Sequence, residues 1–244
     1  GETGNFNGED VIRIIAKHPA TARFVSRHLY NYFVADEPQV PAWQSIPPKD
    51  PELIKALEDE YFRSGYEIRS MLRVLFNSDS FKNARFAKVK SPAEAVCGTI
   101  RLVGDFTTPN PRFYDPALEI GYMGQDLMNP PTVEGWHTGK EWIDSGTLVE
   151  RINFAAGEMG KVDSTGIKQI IERIRSAGET ISAENLVKRC LEMLGGYELM
   201  DENQKLLVEH AATAASMNTK TEEFAQAVSQ ILQLIVSTQE YQFN

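Results

Sequence analysis

At 244 residues, with 42% hydrophobic and 24% charged side chains, the chain is long enough to bury a substantial core and has the balance of an ordinary globular protein. Its net charge of −9 argues against a nucleic-acid partner, which would want a clustered basic surface, and against electrostatic docking on an anionic membrane. No window approaches the roughly 18 consecutive apolar residues of a spanning helix, so no membrane span is expected. With no CxxC and four scattered histidines, neither a metal site nor a cofactor is expected.

Residues 1–7 are turn-rich and extended. Val11, Ile14 and Ile15 at helical spacing predict a first helix. Pro19, harmless in a first turn, opens a second whose stripe is Val25, Leu29, Tyr32 and Phe33. His18 at the junction and His28 within the second helix read as packed or solvent-bonded side chains rather than ligands. Pro38, Pro41, Pro47, Pro48 and Pro51 predict a surface connection anchored by Trp43. Asp50-Pro51 caps a third helix carrying Ile54, Leu57 and Tyr61 and ended by Gly65, and Ile68, Met71, Leu72 and Leu75 make a fourth. The run Glu58-Asp59-Glu60 cannot converge on one proton or ion, because adjacent helical residues point about 100° apart, and it reads as a solvated face.

Ser91-Pro92-Ala93-Glu94 is a capping box with proline at the first helical position. It opens a helix through Val96, Thr99, Ile100 and Val103, stopped by Gly104. Pro109, Pro111 and Pro116 form a second connection, and a helix through Leu118, Ile120, Met123 and Leu127 leads into a long irregular stretch. Beyond that stretch lies a helix through Leu148, Ile152 and Phe154. Gly157 and Gly160 then mark a boundary, giving segments 1–158 and 159–244 that are expected to pack as one unit. The second segment carries four helical patterns, Ile167–Ala177, Ala183–Leu194, Asp201–Ala215 and Thr221–Val236. No period-2 strand pattern occurs, so the fold class is all-α: an irregular multi-helix bundle with long proline- and glycine-rich connecting loops. Leu72–Phe81 aligns without gaps to Leu232–Tyr241, which reads either as two helices ending by similar chemistry or as a duplicated unit. Cys97 and Cys190 lie in helical patterns, and their spacing leaves a disulfide open.

The irregular stretch, residues 121–145, is the part of the chain whose irregularity looks specified. Asn129-Pro130-Pro131 cannot continue a helix, and Gly135 and Gly139 permit positive φ or close approach. Trp136 and Trp142 are expected to be mostly buried, plugging the loop onto the helix that Asp144 or Ser145 caps. Asp126 or Asn129 is expected to bond loop backbone groups. A polar cluster of Gln125, Asp126, Glu134, His137, Glu141 and Asp144 sits among these residues. Its groups can satisfy the loop's own backbone, take a ligand, or place His137 as a general base. The binding candidates are Gln125, Asp126, Asn129, Glu134, Trp136, His137 and Trp142. No GxSxG, HExxH or phosphate-binding glycine loop is present.

The sequences GQDLMNPPTVEGW and GKEWIDSGTLVERINFA resemble the signature of a bacterial family known as domain of unknown function 1800. GETGNFNGEDVIRIIAKHPATARFVSRHLYNYFVADEP, SGYEIRSMLRVLFNSDSF and KVKSPAEAVCGTIRLVG resemble its earlier blocks, in family order. The likeness covers most of residues 1–155 and is weaker beyond Phe154. Members usually carry an upstream helical portion and an export signal, so the resemblance implies a carboxy-terminal piece of a secreted, periplasmic or cell-envelope protein. It supplies no catalytic residues. The expected function is therefore a binding or scaffold module for a protein partner or cell-envelope ligand, acting through the 121–145 loop. The alternative is a hydrolase or carbohydrate-active protein using His137 with Glu134, Glu141 or Asp144.

Overall fold

Residues 3–109 and 111–243 are described by a computed structural model in which all regular structure is helical. Among these residues β pairing is confined to two isolated bridges, Val89 with Phe243 and Thr132 with Gly135. The all-α reading therefore holds. The chain divides into two compact units, Gly1–Lys88 and Val89–Asn244.

The first unit contains α1 (Gly8–Lys17), α2 (Pro19–Phe33), α3 (Pro51–Arg63), α4 (Ile68–Asn77) and the short α5 (Asp79–Lys82). Its core joins Ala22 and Tyr30 of α2, Leu53, Ile54, Leu57 and Tyr61 of α3, and Met71 and Leu75 of α4. Two expectations about its helices need correction. The apolar face of α1 is not buried: Val11 is 47% and Ile15 55% exposed. On α2 the stripe does face the core through Val25, Leu29 and Phe33, but Tyr32 lies 70% exposed, and the polar Ser26 and Arg27 are buried instead.

Arg27 is held inside by its hydrogen bonds. Its Nε and Nη2 donate to the Glu37 carboxylate at 2.8 and 2.6 Å. Nη1 donates to the carbonyls of Trp43 and Ile46, and Nη2 also to that of Pro47. Glu37 in turn accepts from the Lys49 backbone N–H at 2.8 Å. A buried pair of charges is tolerated here because nearly every donor and acceptor is used. Trp43 anchors the connection as expected, donating Nε1 to the Pro38 carbonyl and packing its ring 4.7 Å from that of His28. Burial against these rings pushes the His28 pKa below its usual value. Glu60 also departs from the solvated-face reading. It is buried and accepts from Ser70 and Arg63, and those bonds, Ser70's first, hold its carboxyl below the usual range.

The second unit contains α6 (Pro92–Val103), α7 (Tyr114–Tyr122), α8 (Ser145–Met159), α9 (Thr165–Arg175), α10 (Ala183–Leu194), α11 (Asp201–Ala215) and α12 (Glu222–Val236). The capping box at Ser91 and Glu94 forms, and Gly104 ends α6 at φ 74°. The core wraps α12, whose Phe224, Val228, Ile231, Leu232 and Ile235 are buried against Ile167, Ile170, Ile171 and Ile174 of α9 and Leu186, Val187 and Cys190 of α10. Val103, Ala155 and Met159 join the same cluster. α8 packs on both α6 and α12. Where α9 begins, Gly166 has no alternative: a Cβ there would stand 1.8 Å from the Leu102 carbonyl oxygen.

α7 stops at Tyr122, not at Leu127, which lies outside the helix and 43% exposed. The aligned segments 72–81 and 232–241 do end alike. Ser78 and its aligned counterpart Thr238 each donate a hydroxyl to the carbonyl three residues back, Leu75 and Ile235, and a short helical turn follows each. Both cysteines are free; Cys97 is exposed, and burial pushes the Cys190 thiol up to about 12.

Candidate functional site

The 121–145 loop is tied at both ends. At its start Gln125 N–H reaches the Ile120 carbonyl at 3.0 Å and Gly124 N–H the Gly121 carbonyl at 2.9 Å. That double bond pattern closes α7, and Gly124 supplies its left-handed residue at φ 96°. Met123 is buried beside Val96, Ile120 and Phe154. The Gln125 side-chain oxygen accepts the Ala93 N–H at 2.9 Å, in the first turn of α6, so it satisfies a donor that the helix itself leaves open.

At its far end Gly139, buried at φ 65°, begins a single 3-10 turn that ends in Trp142, 6% exposed. Asp144 is the cap of α8: Oδ1 accepts from Gly146 and Thr147 N–H at 2.7 and 2.9 Å, and Thr147 returns a bond to Asp144 N–H. Backbone bonding by Thr147, then Gly146, holds this carboxyl below the usual range. Thr147 Oγ1 also donates to the Trp142 carbonyl at 2.9 Å, which fastens the tryptophan to α8.

Between the tied ends the candidates separate. Asn129 Nδ2 donates to Asp126 Oδ2 at 2.8 Å, so these two side chains serve each other rather than loop backbone groups. Thr132 to Gly135 form a tight turn, with Gly135 at φ 99° and Glu134 exposed at its corner. Trp136 is half-buried and its Nε1 is sealed without an acceptor. His137 Nδ1 pairs with Glu141, both side chains about half exposed. The structure thus brings together Asp126 with Asn129 and His137 with Glu141, whereas Gln125, Trp142 and Asp144 are used as ties.

Two apolar residues escaped the sequence reading, Met128 and Val133 at 94% and 107% exposure, and Leu127, read there as part of a helix, joins them at 43%. Met128 also holds a positive φ of 65°. The available signal was their position beside Asn129-Pro130-Pro131, where no helix can fold an apolar side chain inward.

Among the described residues no group of three or more histidines, cysteines or acids could hold a metal ion, and no helix is long and apolar enough to cross a membrane. The fold and this loop define a class, an all-helical protein built around an ordered aromatic loop. The chain belongs to the DUF1800 family, described as a protein of unknown function, whose family model matches residues 1–243. That match includes the region beyond Phe154, where the resemblance in sequence is weaker. No curated protein and no solved structure matches the chain.

Proposed function

We propose that this is an exported, non-enzymatic bacterial binding module whose 121–145 loop contacts a protein partner at the cell envelope. One observation carries the reading. The loop is fixed at both ends by bonds to α6 and α8, yet its tip turns Leu127, Met128 and Val133 into solvent. Ordering a loop opposes its backbone entropy, and holding apolar groups in water adds nothing to the fold. A rigid loop with an apolar tip is the arrangement that a contact surface uses.

A photo-crosslinking residue placed at position 128 or 133 should give the same discrete product in the native envelope fraction, and one at exposed Lys188 should not. Equal labelling from all three positions, or none from the loop, would sink the reading. Fractionation of the native protein tests export separately, since recovery in the cytosol removes that part. A catalytic reading has the His137–Glu141 pair in its favour. It has lost Asp144 to helix capping. Under the binding reading, His137→Ala leaves crosslinking from position 128 intact.

A further inference from the structure

The second unit buries an arginine with none of the partners that satisfy Arg27. Both Arg27 and Arg151 are 2% exposed. Arg27 spreads its guanidinium over one carboxylate and three carbonyls. Arg151, on α8, has Nε, Nη1 and Nη2 all sealed from solvent, and none has a hydrogen-bond partner. A guanidinium carries five donors, and even with its pKa lowered to about 10 by burial it is charged at neutral pH. An unpaired charge out of water is among the least favourable arrangements a fold can hold.

A second cation stands by it. Lys90 lies just ahead of the α6 cap, and α6 is packed on α8. Its Nζ donates to the Tyr197 hydroxyl and the Tyr241 carbonyl, each at 2.6 Å, and sits 3.8 Å from the Tyr241 ring centre. Those acceptors are neutral. Burial, and then the charge of Arg151, bring the Lys90 pKa down to about 8. The one carboxylate whose charge favours both cations is Glu94. Its Oε2 is engaged at 2.8 Å by the Ser91 N–H in the capping box. Two partly or wholly buried cations therefore share no bonded anion.

We propose that Arg151 and Lys90 form a site for a small oxyanion, held as a resident ligand of the unit Val89–Asn244. The guanidinium fork matches a pair of oxygens, as a carboxylate or a phosphate presents them, and the ammonium adds a point charge. Because the Arg151 nitrogens are sealed, the ligand enters through a local opening. Once inside it is shielded from water and salt, where attraction is strongest. The site uses none of the loop-tip residues Leu127, Met128 and Val133 and stands whether or not the loop binds a partner.

The test is melting of the full chain in sodium chloride, titrated at constant ionic strength with phosphate and, separately, acetate. At least one oxyanion should raise the melting temperature saturably, by roughly 5 °C or more at high occupancy. Arg151→Met should abolish the rise, and Lys90→Met should move its midpoint at least tenfold upward in concentration. The phosphate and acetate arms distinguish a tetrahedral from a planar ligand. No response to either anion, or the same response in Arg151→Met, overturns the proposal. If Arg151→Met does not fold, Lys90→Met and calorimetric titration of the wild type carry the decision. Glu94→Gln settles the competing account: if it destabilises the protein strongly while oxyanions do nothing, Glu94 is the counterion and the site is refuted.

Discussion

Replacing Glu37 with alanine should destabilise the first unit by about 3–5 kcal/mol, the range for leaving one member of a buried ion pair without its partner. The structure explains why the loss is large. Glu37 takes two guanidinium donors from Arg27 and one backbone N–H from Lys49, and neither charged side chain reaches appreciable solvent. Arg27→Met should be comparably harmful, since it also frees the carbonyls of Trp43, Ile46 and Pro47. The double variant Arg27→Met with Glu37→Leu removes both charges and their desolvation together. What remains is a few part-buried backbone groups at about 0.5–1.5 kcal/mol each. The double variant should therefore be more stable than the sum of the singles predicts, by about 2–3 kcal/mol. Urea denaturation gives the three free energies, and amide exchange across residues 38–49 reports whether the connection loosens. Additive single losses, or singles that lose under about 1 kcal/mol, would show that the pair is not what fixes this connection.

Lys90→Met offers a pH signature. The amine titrates at about 8 in the fold against 10.5 when unperturbed, so the unfolded chain binds more protons between those values and stability rises with pH. The penalty is full below pH 8 and is relieved as pH climbs toward 10.5; relative to Lys90→Met, the wild type should gain about 2 kcal/mol between roughly pH 7 and 9.5. A difference that stays flat across that window would show that the amine is not desolvated. Gly166→Ala should lose about 3 kcal/mol or more, because its new methyl meets the Leu102 carbonyl, which is backbone and has nowhere to retreat. Normal melting of that variant would mean the approach of α9 to α6 is looser than described. In the loop, Trp142→Ala should lose about 3–5 kcal/mol, whereas Met128→Glu should stay within about 0.5 kcal/mol, and equal effects would contradict the burial difference between them.

Local chemistry carried most of the helices. Ser91-Pro92-Ala93-Glu94 named a start by two reciprocal bonds, both of which form, and the four patterns after Lys161 match α9 to α12 within about two residues. These signals act over three or four residues, which is why one sequence displays them. Arg27 and Arg151 show what it does not display. Each sits in an ordinary helical pattern as a surface-type residue, and only contacts more than a turn away decide that it is buried. Glu60 failed in the same way: the argument that adjacent carboxylates diverge is sound, but it does not say which of them faces Ser70 on the next helix. For the loop, Asp144 as a cap and Trp142 as a plug were legible from residue type and position. Trp136 stops half-buried, and Asn129 pairs with Asp126 instead of the backbone, because both outcomes depend on the path the chain takes between its ties. The apolar face of α1 shows the opposite limit, since a helical period fixes which residues share a face but not whether anything covers it.

The loop and the proposed oxyanion site share their supports, and this joins them energetically. Gln125 holds the loop to the first turn of α6, directly after Lys90 and the Ser91 cap. Thr147 and Asp144 hold its other end to the first turn of α8, ahead of Arg151. A ligand bridging Lys90 and Arg151 would fasten the start of α6 to the middle of α8, so whatever energy it adds opposes any opening that separates the two helices. Amide exchange within residues 125–143 should then slow when phosphate or acetate saturates the site, while exchange in the first unit stays the same. The effect must also vanish in Arg151→Met. Oxyanion binding with unchanged loop exchange would mean that the loop opens without parting α6 from α8, and that its tip is ordered by Trp142 and the Thr132–Gly135 turn alone.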